Sequence, residues 1–140
     1  MTRSTKRILS IMLTIALVFC TVFVFQSSAS AAAGASVQIG SYTFSGSVAI
    51  NSNGYSAVAT TRYGIVAGLE VKTTFKYSHG ANSATMETVV ATNSNSNTYV
   101  SATAARNSTH TLNYKARSAL GRHTLHSSYG TNYLDTSVNA

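Results

Sequence analysis

Three cations near the C-terminal end of the chain, Lys115, Arg117 and Arg122, are the residues whose type and spacing point most directly to a chemistry. In an extended chain alternate residues share a face, so Lys115 and Arg117 lie together with Thr111. Arg122 lies with Thr124 and His126 on the next stretch. Joined as neighbours, the two polar faces form a cationic patch suited to an anionic envelope polymer or a membrane surface, held by non-specific attraction. Tyr114 and Tyr129 fall on the faces opposite these charges. Nucleic acid, which favours aromatics interleaved with basic groups, is therefore not an expected partner.

The remaining reactive groups are few. The four histidines are His79, His110, His123 and His126. His123 and His126 are three apart, which on a strand points them to opposite faces. His79 and His110 stand isolated in the sequence, and a zinc site needs three or four converging ligands, so no metal is expected. The acids are Glu70, Glu87 and Asp135. Glu70 lies among Lys72 and Lys76 and reads as a surface ion partner, and no Gly-x-Ser-x-Gly elbow is present. No catalytic residue and no cofactor are expected. The chain reads as a non-enzymatic protein, with a small secreted hydrolase as a distant third reading.

The elements that must position these groups begin after an export signal. Arg3, Lys6 and Arg7 precede an uncharged apolar run from Ile8 to Phe25, and small residues follow. This is the layout of a secretory signal peptide. Ala31 and Ala33 close the two triplets that a signal peptidase accepts, Ala29-Ser30-Ala31 and Ala31-Ala32-Ala33. The organisation expected is therefore a secretory signal peptide over 1–33, its apolar run helical, and a single domain over 34–140, secreted or held at the cell surface. The only cysteine, Cys20, leaves with the signal. A small exported domain without disulfides leans towards a bacterial source, and the long apolar run towards a Gram-positive one.

From Gly34 onward seven cations stand against three acids, and Ser, Thr and Asn carry most of the polarity. Thr, Val and Tyr suit a pleated, half-buried surface, and no window keeps a helical period. Residues 31–36 read as a flexible start. Tyr42, Phe44, Val48 and Ile50 alternate with polar residues, and Asn51-Ser52-Asn53-Gly54 marks a tight turn. Tyr55 to Tyr63 returns, and Leu69 to Tyr77 alternates apolar with charged residues. Further strands are expected over 84–92, 98–106, 110–118 and 122–129, with a short last one over 133–138. The breaks between them are placed at Asn93 to Asn97, at Asn107 to Thr109 and at Leu120-Gly121. Seven to eight short strands of this spacing predict an antiparallel β-sandwich of immunoglobulin-like form, with a closed barrel as the alternative.

The signal, the Ser/Thr/Asn-rich mature part and the closing His123-Thr124-Leu125-His126-Ser127-Ser128-Tyr129-Gly130 together resemble small secreted β-sandwich proteins of Gram-positive bacteria, lactococcin 972-like bacteriocins among them. The resemblance implies an antimicrobial toxin as the alternative function. It assigns no functional residues.

Overall fold

The computed structural model describes residues 29–140; the charged and apolar parts of the expected signal lie outside them, and its last residues, from Ala29, belong to a strand. Six strands run in chain order: β1 (Ala29–Ile39), β2 (Tyr42–Asn51), β3 (Ser56–His79), β4 (Thr85–Ala105), β5 (Lys115–Ser127) and β6 (Gly130–Asn139). A single 3-10 turn, Ala81–Ser83, joins β3 to β4. The all-β, antiparallel class is as expected. All six strands belong to one sheet, which curls until it is nearly closed into a barrel.

Fewer and longer strands form than the seven to eight short ones expected. The stretches around Tyr55–Tyr63 and Leu69–Tyr77 fuse into β3, which runs 24 residues. Residues 84–92 and 98–106 fuse likewise into β4, through the Asn/Ser tract. Asn93, Asn95 and Asn97 face Val71, Leu69 and Ala67 in register instead of forming a turn. Leu120-Gly121 does not break β5, because both residues pair with β3 at Thr74 and Thr73. Residues 31–36 are not a loose start but part of β1, paired with β2 from Ile50 to Ser45. Conversely, much of 106–114 is irregular, and the strand expected from His110 begins only at Lys115. In each fused case Gly or Asn tolerates a turn without requiring one, and sheet pairing over many residues outweighs that local preference.

The pairing shows how one sheet closes on itself. On one edge of β3, residues 57–63 pair with β2 and residues 68–78 pair with β5. On the other edge β4 follows β3 along nearly its whole length, with a register irregularity between Arg62 and Ala67. Beyond β2 and β5 lie β1 and β6, which approach each other across the gap. β3 thus serves both halves of the curl, and the side chains on its inner face fill the space between them. Leu69, Val71, Thr73, Phe75 and Tyr77 are buried while Glu70, Lys72 and Lys76 are exposed, the alternation expected of this stretch. Phe44, Val48 and Ile50 meet them from β2, and Leu125 from β5.

One buried side chain is not apolar. His123 is fully enclosed. Its Nδ1 lies 2.9 Å from Thr61 Oγ1 and its Nε2 lies 2.9 Å from Thr136 Oγ1. Space for the ring comes from two glycines. A Cβ on Gly46 would stand 2.2 Å from the imidazole, and one on Gly121 would stand 2.8 Å from its Nε2. Burial lowers the His123 pKa to about 4, so the ring is neutral in the folded protein near neutral pH.

Candidate functional site

Lys115, Arg117 and Arg122 all lie on the outer face of the sheet, on one strand and not on two. Five positions separate Arg117 from Arg122, and in an unbroken alternation that odd spacing would put them on opposite faces. A β-bulge resolves the conflict. Tyr77 pairs with Ala116 while Lys76 pairs with Ser118, so Arg117 is an extra residue. The inserted residue reverses the phase of the strand. Before it, Tyr114 and Ala116 turn inward; after it, Ala119, Gly121 and His123 do.

Pairing with β3 enlarges the patch. Arg122 faces Lys72 across the strands, and Ser118 beside Arg117 faces Lys76. The exposed face of β3 and β5 therefore carries Lys72, Lys76, Lys115, Arg117 and Arg122, five of the seven cations from Gly34 onward. Between the charges runs an apolar row. Thr74 pairs with Val90 on one side and Leu120 on the other, and Val90 and Leu120 are 49% and 41% exposed. Lys72, Thr74, Leu120, Gly121, Arg122 and Asp135 line a shallow depression on this face.

The three expected cations are not equivalent. Arg122 is held in a two-pronged pair with Asp135, Nε to Oδ1 at 2.9 Å and the terminal nitrogen to Oδ2 at 3.0 Å. The hydrogen bond from Arg122 lowers the Asp135 carboxyl pKa, and the reciprocal bond raises that of Arg122. Arg117 donates from Nε to Ser78 Oγ at 2.9 Å. Lys115 has no ion-pair partner among the described residues, and neither have Lys72 and Lys76. The uncompensated charge thus lies mainly on the three lysines. Two of them, Lys72 and Lys76, belong to a strand remote in sequence from the expected patch.

Ala31 and Ala33, the expected cleavage residues, are half-buried in β1 and face Ile50 and Val48 of β2. His123 and His126 point to opposite faces, the first buried and the second exposed, as their spacing requires.

A second group of reactive side chains meets at the end of the β3–β4 hairpin. His79 closes β3, Glu87 sits near the start of β4 on the inward face with Tyr77, and His110 comes from the irregular segment after β4. One ligand atom from each of His79, Glu87 and His110 lies within 4.8 Å of the others. The two imidazoles stack face to face, 3.8 Å apart and 9° from parallel. His79 Nε2 is 3.6 Å from Glu87 Oε1, and it is buried without a hydrogen-bond partner. His79 and His110, isolated in the sequence, are therefore neighbours in space. Nothing in their spacing signals this, because 31 positions and an entire strand separate them.

The segment that delivers His110 is tied down from several sides. The Arg106 guanidinium donates to the carbonyls of Asn107, Ser108 and His110 and lies over the rings of Tyr55 and Tyr114. The Tyr77 hydroxyl meets His110 Nδ1 at 2.9 Å and accepts the Asn107 N–H. Tyr114 donates to the Gly54 carbonyl, and burial pushes its hydroxyl pKa up to about 12. Gly80 N–H donates to the Leu112 carbonyl, and Asn113 Nδ2 donates back to the Gly80 carbonyl. No model of a known protein family matches the chain and no curated protein is similar to it, so its function is read from these two groups of residues themselves.

Proposed function

We propose that the exposed face of β3 and β5 binds the phosphate-bearing anionic surface of a bacterial envelope, in a secreted protein that acts outside the cell without catalysing a reaction. The observation that carries the proposal is the concentration of Lys72, Lys76, Lys115, Arg117 and Arg122 on one face, against Glu70 and Asp135 only. Three of the four net positive charges of residues 34–140 are gathered there. Neighbouring cations on one face act together on an extended polyanion, where a single exposed ion pair contributes little. Val90 and Leu120 between the charges add apolar contact to a surface that also offers alkyl or acyl groups.

The test compares the parent with two triple variants, Lys115, Arg117 and Arg122 to Gln, and Lys72, Lys76 and Lys115 to Gln. Each lowers the net charge of residues 34–140 from +4 to +1. Both should sediment less with cell walls and with anionic vesicles. The second should lose more, because Arg122 is already paired with Asp135. Binding should weaken from 0.1 M to 1 M salt as the Debye length falls from about 10 Å to about 3 Å. Walls stripped of anionic polymer and vesicles of zwitterionic lipid identify which source of phosphate is used. Undiminished binding by both variants at low salt would leave the face an ordinary solvated sheet surface. Inhibition of related strains in a plate overlay, lost in the same variants, would turn the reading towards a bacteriocin-like antagonist using this face.

A further inference from the structure

We propose that His79, Glu87 and His110 form a binding site for a divalent transition metal, zinc in the first instance, that fastens the segment after β4 to the end of the β3–β4 hairpin. Two imidazoles and one carboxylate are a three-ligand set that zinc takes, with a fourth position left to water or an exogenous donor. Imidazole donors favour zinc, copper or nickel over magnesium and calcium, which want more oxygen ligands. The ligand atoms already lie within 4.8 Å of one another, and tetrahedral zinc with bonds of about 2.0–2.1 Å needs them roughly 3.3 Å apart. Rotation of one imidazole out of the stack supplies the difference and lets the in-plane lone pairs of both rings converge.

Three observations favour a ligand set over a self-contained polar cluster. First, His79 Nε2 is buried and has no hydrogen-bond partner, and a separation of 3.6 Å from Glu87 is too long to be one. A buried ring nitrogen left so is costly, and coordination would occupy it. Second, the two imidazoles lie in contact, so one ring turning out of the stack brings a donor nitrogen of each to a common point. Third, the support behind the ligands has the form such sites need. The Tyr77 hydroxyl engages His110 Nδ1 and leaves Nε2 for the metal, and Arg106 fixes the backbone from which His110 projects. By contrast both nitrogens of His123 are engaged by threonines, and His126 is exposed and bonded to Thr131.

The site would do more than hold an ion. His79 and Glu87 belong to paired strands, but His110 comes from a segment outside the sheet ladder. A metal bound by all three closes that segment onto the sheet, and a ligand that binds only the folded state raises its stability.

Zinc titration of the protein, purified without a histidine tag and stripped with chelator, should show one ion bound per chain and a rise in Tm. His79→Ala, His110→Ala and Glu87→Gln should each weaken binding at least tenfold, while His126→Ala should not. Cobalt should give the visible absorption of a four-coordinate ion in the parent and lose it in the variants. Should an alanine variant fail to fold, Glu87→Gln, which keeps shape and removes only charge, carries the test, with circular dichroism as the check. Absence of zinc binding in the parent up to about 100 μM would overturn the proposal, as would affinity unchanged in all three ligand variants.

Discussion

His123 shows at the scale of one residue how strictly this core is specified. The ring is neutral because burial disfavours its charged form, and its pKa of about 4 lies below the ordinary value of 6.5. The unfolded chain therefore takes up a proton that the folded protein refuses between those limits. The associated stability is fully present above about pH 6.5 and is lost as the pH falls towards 4. Thermal unfolding followed from pH 7.5 to 4 should show this decline, and His123→Asn should flatten it. Gly46→Ala should destabilise by about 1–3 kcal/mol or more, the usual cost of overpacking, since its methyl would meet the imidazole at 2.2 Å. Combined with His123→Ala, the Gly46 change should cost clearly less than it does alone, a coupling that a double-mutant cycle reads directly. Phe75→Ala should cost about 3–5 kcal/mol as a buried aromatic, and Lys76→Ala on the opposite face should cost little. Equal losses for those two would contradict the phase of β3.

At the scale of the element, β4 makes the sharpest claim. Its Asn/Ser tract has the composition of an exposed turn, yet it is paired with β3 through Asn97, Ser96 and Asn95 to Asn93. Among the described residues no other strand pairs with β4, so alternate amides point to an open edge. Hydrogen exchange over residues 88–96 should then alternate, slow where the N–H bonds to β3 and fast where it faces outward. Uniformly fast exchange across 93–97 would restore the loop. Asn93 and Asn95 also cap this region by donating to the carbonyls of Ser101 and Tyr99. The bulge at Arg117 is a second element-scale device. Without an extra residue there, β5 could not bury His123 and Leu125 and still turn Lys115 and Arg117 outward.

At the scale of the whole molecule, the export reading and the fold make competing demands on β1. Ala31 to Ala33 pair with Ile50 to Val48 of β2, so a cut after Ala31 or Ala33 would remove the first paired residues of β1 and leave the rest of the strand in register. Mass spectrometry of the culture medium should find a product beginning between Ala32 and Ser36, and recovery solely of uncut chain from membranes would overturn the export reading. The sequence by itself determined the antiparallel all-β class, the inward set of Leu69, Val71, Phe75 and Tyr77, and the turn at Asn51 to Gly54. Those features depend on two-residue periodicity and on φ preferences, which are local. It also marked Lys115, Arg117 and Arg122 as neighbours, although for a reason the bulge replaced. Tertiary structure alone decided where strands end, because a Gly or Asn that permits a turn does not enforce one when a partner strand supplies hydrogen bonds. It alone added Lys72 and Lys76 to the cationic face and took Arg122 partly out of it through Asp135. It alone brought His79 and Glu87 to His110, since contacts across a curled sheet depend on which strands pair and in what register, and no spacing along the chain encodes that.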